Sequence, residues 1–137
     1  MSPASPAERF AAVRERIDRA ARLAGRKADD VTLIAVSKTH PADAVRPLIS
    51  AGATDFGENR VQEAEGKWPG LKGEAPHVRL HLVGRLQSNK AEAAVELFDA
   101  IHSVDRPSLV GALGRAMARS GRRPDCFLQV NIGDEPQ

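Results

Sequence analysis

Val31-Thr32-Leu33-Ile34-Ala35-Val36-Ser37-Lys38-Thr39-His40 is the stretch whose reading decides the fold. The six residues from Val31 to Val36 are almost all apolar and rich in β-branched side chains. Such a run reads as a strand buried on both faces, typical of a parallel sheet. Ser37, Lys38, Thr39 and His40 follow directly, so one strand end carries four polar groups. A lysine closing a buried strand is expected in an apolar, water-poor place. There the ammonium form is disfavoured and the free amine becomes a nucleophile toward carbonyls. By position alone, a long amine that reaches out to water is the commoner reading of Lys38.

Upstream, Ser5-Pro6-Ala7-Glu8 is a helix start: a capping serine, a proline suited to the first turn and a glutamate three residues after the cap. Phe10, Val13, Ile17 and Ala20/Ala21 recur at helical spacing, and Gly25 can end the helix. This helix precedes the first strand, so it is an extra element: a cover for the bottom of a barrel or a packing surface.

Downstream, the pattern alternates. A helix over 41–51 is stopped by Gly52, with a bend expected at Pro47. Strand two is Thr54–Gly57, running into Glu58-Asn59-Arg60, and a helix covers 61–67. Residues 68–77 hold two prolines and two glycines and read as loop. Strand three is Val78–Val83, a helix spans 91–97, and strand four is Ala100–Val104. Asp105 can cap the next helix, which has Leu109, Val110, Leu113 and Met117 on one side and Arg115, Arg119 and Arg122 on the other. Strand five is Cys126–Ile132.

Strands recurring roughly every twenty-odd residues mark repeated βα units. Neither Gly-x-Gly-x-x-Gly nor Gly-x-x-x-x-Gly-Lys-Ser/Thr follows a strand, which argues against a doubly wound nucleotide-binding sheet. Polar residues cluster instead after successive strands: Ser37-Lys38-Thr39, Glu58-Asn59-Arg60, Gly84-Arg85, Ser103 with Asp105, and Asn131. That distribution favours a (β/α)8 TIM-barrel type, an α/β fold with functional residues at the C-terminal strand ends. Five strands are present where such a barrel has eight, so residues 1–137 are expected to form a single partial barrel domain.

Composition narrows the function classes. Twenty Lys+Arg against 18 Asp+Glu leave a net charge of only +2, too little to argue for nucleic acid, and no aromatic interleaving is present to stack bases. The arginines from Arg115 to Arg123 read as a solvated helix face. A lone cysteine, Cys126, excludes an internal disulfide, fits a reducing compartment and reads as core filler. The four histidines show no metal-ligand spacing. No apolar run approaches the roughly 20 residues of a membrane helix, and the first ten residues lack a signal-peptide core. A cytoplasmic protein without membrane or nucleic-acid partners is expected.

Four blocks in register then carry a resemblance: Ala35-Val36-Ser37-Lys38-Thr39, Phe56-Gly57-Glu58-Asn59-Arg60-Val61-Gln62-Glu63, Leu82-Val83-Gly84-Arg85-Leu86-Gln87-Ser88-Asn89-Lys90 and Ile101-His102-Ser103-Val104-Asp105, with Val130-Asn131-Ile132 after them. From about residue 10 onward the chain resembles the pyridoxal phosphate homeostasis proteins, single-barrel relatives of the N-terminal domain of bacterial alanine racemase. The resemblance implies that Lys38 forms a Schiff base with pyridoxal 5'-phosphate (PLP), and that Asn59 and His81 lie near the cofactor ring. It also implies a protein that buffers PLP and delivers it to PLP-dependent apoenzymes without robust catalysis. Asn59 fits an N-cap as well as a ligand contact, and His81, inside an apolar strand, fits a satisfied core histidine. Leu80 departs from the aromatic residue the family often has there. The family's serine- and glycine-rich phosphate cradle, after the sixth strand, has no counterpart in this chain.

Two other functions stay open at this level. A PLP-dependent amino-acid racemase needs a second acid/base group on the opposite ring face, and the chain contains no tyrosine to supply the one alanine racemase uses. An interaction module or non-binding fragment is the other. Five parallel strands leave two open edges, which predicts self-association or a need for a further segment.

Overall fold

The computed structural model describes residues 3–136. Helix α1 (Pro6–Leu23) starts where Ser5 Oγ accepts the Glu8 N–H at 3.1 Å. It packs on α2 (Ala42–Ser50). Strand β1 (Ala35–Val36) precedes α2, and β2 (Asp55–Glu58) leads to α3 (Val61–Glu74). Strand β3 (Arg79–Leu82), α4 (Ala91–Leu97), β4 (Ala100–Val104), α5 (Pro107–Ser120) and β5 (Asp125–Leu128) complete the order. The sheet is parallel throughout and runs β1-β2-β3-β4-β5 without a reversal. A doubly wound sheet reverses its order and carries helices on both faces. Here α2 to α5 share one core with one face of the sheet.

Strand pleating separates the two faces. Phe56 and Glu58 of β2 face the helices, and the Phe56 ring lies 5.3 Å from that of Trp68 in α3. Leu80 and Leu82 of β3 and Ile101 of β4 join the same core. The alternate positions meet on the other face, where Asp55, Arg79, His81 and His102 form a polar network.

Several elements depart from the sequence expectation. Strand β1 is two residues long rather than six, and it is not buried on both faces: Val36 is 49% exposed. Among the described residues it pairs only with β2, so no strand adjoins its other edge. The helix expected over 61–67 continues to Glu74 through the stretch expected as loop. Trp68 and Leu71 point into the core, and their burial outweighs the cost of Pro69 inside the helix. Asp105 does not cap α5; Arg106 occupies that position, and the Asp105 carboxylate accepts from Arg106 at 2.7 Å. Val110 faces out while Ala116 packs in. Strand β5 ends at Leu128, and all four of its residues are exposed, so Cys126 is not core filler. The arginine face is only partly solvated. Arg119 pairs with Glu92, and Arg122 donates to Val95 O at 2.8 Å, which seals the end of α4.

Asp99, just before β4, ties three elements. It accepts from Lys72 Nζ at 2.6 Å and from the Leu80 N–H at 2.7 Å, with Arg122 at 3.5 Å. Burial pushes its carboxyl up, but the Lys72 and Leu80 hydrogen bonds and the Lys72 and Arg122 charges outweigh burial and hold it below the usual range. A depressed folded value gives stabilisation that is complete above the ordinary carboxylate range and is lost as pH falls through the folded value. Asp99→Asn is expected to lose about 1–3 kcal/mol at neutral pH. In urea titrations the gap to the parent protein should close in acid; a pH-independent gap contradicts this assignment. Trp68→Phe keeps an aromatic ring, smaller than the indole, and deletes the N–H that donates to buried Glu58 at 2.8 Å. It is expected to cost about 1–3 kcal/mol, read as a lower urea midpoint.

Candidate functional site

The C-terminal end of β1 is held from beneath by a buried ion pair. Glu58, fully buried at the end of β2, accepts three donors on one oxygen, Oε2: Ser37 Oγ at 2.6 Å, Trp68 Nε1 at 2.8 Å and Lys67 Nζ at 2.7 Å. Lys67 comes from the third position after Ala64 on α3, the stripe that packs against the sheet, so its ammonium arrives under the turn. It donates onward to Ser37 O at 2.9 Å and His40 O at 2.7 Å, the two carbonyls that bracket Lys38 and Thr39. Glu63, one helical turn earlier, accepts the Thr39 N–H at 2.5 Å. Thr39 itself sits at φ +66°, a left-handed conformation that a β-branched residue adopts only when its surroundings enforce it.

Lys38 stands on this fixed turn and is exposed. The expected desolvated amine is therefore not found. Only β2 pairs with β1 among the described residues, so the strand end carrying Lys38 has a neighbouring strand on one side alone. Among the described residues no carboxylate pairs with the Lys38 amine. Asn59 lies half-buried at the end of β2. Helix α3 has Arg60 at its N-cap position and no side-chain cap, so Asn59 does not serve as that cap.

His81 is buried on the opposite face from the helices and fully engaged. Its Nε2 lies 2.8 Å from Asp55 Oδ2 and its Nδ1 lies 2.9 Å from His102 Nε2. The carboxylate can only accept, so a neutral His81 donates from Nε2 and accepts from His102 at Nδ1. Burial first, and then His81, pull the His102 imidazole below its ordinary value. His102 stacks on Phe127 with ring centroids 4.6 Å apart. Arg79 closes the network, 3.8 Å from Asp55 and 3.0 Å from Asp125. The structure thus puts Lys38 and Asn59 at neighbouring strand ends and His81 deeper, along β3. No group of three His, Cys, Asp or Glu fit to hold a metal occurs among the described residues.

Sequence reasoning quoted Glu58 and Glu63 without giving them a role and passed over Lys67. Two signals were available: an acidic residue at a core-facing strand position, and a lysine four residues after Glu63 on the next helix. Removing one member of a buried pair strands the other charge. Lys67→Met is expected to destabilise the protein by about 3–5 kcal/mol and to speed amide exchange at Thr39 and His40. The double variant Glu58→Gln/Lys67→Met should recover part of that loss. Equal stability of single and double variants would show that the pair is not the constraint.

The alanine racemase N-terminal domain family matches residues 9–135 of this chain. The pyridoxal phosphate homeostasis protein of Pseudomonas aeruginosa is 43% identical over 129 residues, covering 94% of this chain and 55% of that protein. The protein of the same name from Escherichia coli is 38% identical over 134 residues, covering 94% and 56%. Among solved structures, PipY of Synechococcus elongatus with PLP bound superposes with a TM-score of 0.74 at 47% identity, covering 87% of this chain and 56% of PipY. A protein of unknown function from Bifidobacterium adolescentis gives a TM-score of 0.84 at 34% identity, covering 91% and 54%. The chain spans about half the length of the curated relatives it matches. Its five strands answer to the N-terminal part of a TIM-barrel type fold, and the chain belongs to the alanine racemase N-terminal domain family.

Proposed function

We propose that this chain is a single partial barrel domain of a PLP-binding protein, which holds the cofactor as a Schiff base on Lys38 and serves PLP homeostasis without robust catalysis. The observation that carries the reading is the turn at Lys38. Its backbone is held by Lys67, Glu63 and Glu58, while its own amine has no carboxylate partner among the described residues. A fixed turn under a free amine suits capture of an aldehyde. The PLP-bound state of PipY, a relative at 47% identity, supports the same ligand class. PLP would supply the aldehyde and an electron-withdrawing ring. Lys38 would hold the aldehyde carbon, the free amide of Asn59 would orient polar ring substituents, and the His81–Asp55 pair would wall the inner side. PLP-dependent apoenzymes are the proposed recipients, and the cytoplasm the proposed compartment. No helix among the described residues is long and apolar enough to cross a membrane.

The exposed side chains of β5, with Phe127 at 52% and Leu128 at 74%, lie along an open parallel edge and support self-association through that edge. Incubation with PLP, reduction with borohydride and peptide mass analysis should place the adduct on Lys38, and Lys38→Ala should lose it. An adduct spread evenly over exposed Lys27 and Lys90 counts against the reading. Amino-acid racemisation abolished by Lys38→Ala would replace it with an enzymatic one.

A further inference from the structure

The loops that follow β2 and β3 enclose a cleft, about 280 Å3 in volume, on the same rim of the sheet as Lys38. Its polar lining is Asn59, Arg60, Gln62, Arg85, Gln87 and Lys90, over an apolar floor of Val61 and Leu86. No carboxylate lines it, and Lys38 is not part of it. None of Arg60, Arg85 and Lys90 takes part in an ion pair among the described residues. The cations that tie elements together behave differently: Lys67, Lys72, Arg79 and Arg122 each reach a carboxylate.

The frame beneath these free cations is rigid. Gly84 O accepts from Ser103 Oγ at 2.7 Å, Leu86 O accepts from Arg106 at 2.5 Å, and the Lys90 N–H donates to Gln87 O at 3.0 Å. Leu86 is buried, which pins the middle of the loop. A Cβ on Gly84 would stand 2.3 Å from Asn59 O, so only glycine lets the two loops approach this closely. That approach brings Arg60 and Arg85 to one cleft. Helix α3 also begins here without a side-chain cap, so its first N–H groups add to the positive field.

We infer that this cleft is an anion site, separate from Lys38, that takes a small phosphomonoester. Two planar guanidiniums match the oxygens of a tetrahedral oxyanion two at a time, and the ammonium adds a point charge. Three cations suit a dianion better than a singly charged carboxylate. The amides of Gln62 and Gln87 can serve the hydroxyls of the ester's remainder. The cleft has no aromatic lining to stack a base and is bounded by two loops, unlike a flat surface for an acidic protein. Because its cations are solvent-exposed, binding should weaken with added salt.

Calorimetric titration of the whole chain at low ionic strength, first with inorganic phosphate and then with glycerol phosphate, tests this. One saturable site is expected, with Arg85→Gln and Lys90→Gln each weakening it about tenfold and Arg85→Lys weakening it less. Lys38→Ala and the distant helix variant Arg115→Gln should bind as the parent does. Unchanged binding in Arg85→Gln and Lys90→Gln would overturn the assignment. So would loss of binding in Lys38→Ala, which would put the phosphate at the aldehyde-capturing lysine, or tighter binding of an acidic peptide through the same residues. Borohydride trapping of pyridoxal, which carries no phosphate, should be equal in Arg85→Gln and the parent, so this site and the Lys38 reading fail separately.

Discussion

A carboxylate with no exposure to water is the constraint from which the rim takes its shape. Glu58 must find donors, and the fold supplies three from two places: the end of β1, and two successive residues of α3. Each donor fixes an element. Trp68 anchors the middle of α3 to β2, Ser37 joins β1 to β2, and Lys67 passes its remaining hydrogens to the carbonyls of the Lys38 turn. A buried pair of this kind adds little net stability compared with apolar packing, but it leaves few alternative arrangements. The turn at Lys38 is specific in consequence, down to a threonine held in a left-handed conformation.

The two faces of the sheet answer different demands. Toward the helices the strands contribute Phe56, Leu80, Leu82 and Ile101, and the core there is continuous. On the other face the same strands present Asp55, His81 and His102 joined by hydrogen bonds, with Arg79 paired to Asp55 and Phe127 stacked on His102. Those groups satisfy one another laterally, strand to strand, without help from a helix. A polar network on one face and an apolar core on the other explains why the apolar strand pattern was incomplete where it looked most uniform. Position 81 interrupts it because it belongs to a different neighbourhood from positions 80 and 82.

Where the sequence misled, one cause recurs. Pro69, Gly70 and Gly73 announce a loop by local preference, yet Trp68 and Leu71 gain more from burial than the helix loses. Val31–Val36 announces a buried strand by composition, yet burial needs neighbours on both sides and β1 has one. For Lys38, a water-poor site was one reading of the residues before it, and the structure shows the other, an exposed side chain at the end of an edge strand. Helix α4 and strand β4 met expectation because both contribute to the buried core, where local pattern and tertiary surroundings agree.

The order of βα units, the parallel sheet and the gathering of polar residues after successive strands were determined by the sequence alone. Periodicity and the spacing of turn residues are local properties, legible in one dimension. So was the family, since four blocks in register carry it. Only the tertiary structure decided that Lys38 is exposed, that Lys67 rather than a nearer residue holds its turn, and that Arg60, Arg85 and Lys90 share one cleft. These depend on which side chains meet across 25 or more residues of chain, as Lys67 and Ser37 do at a separation of 30. Desolvation and pairing belong to those meetings, and no local pattern contains them.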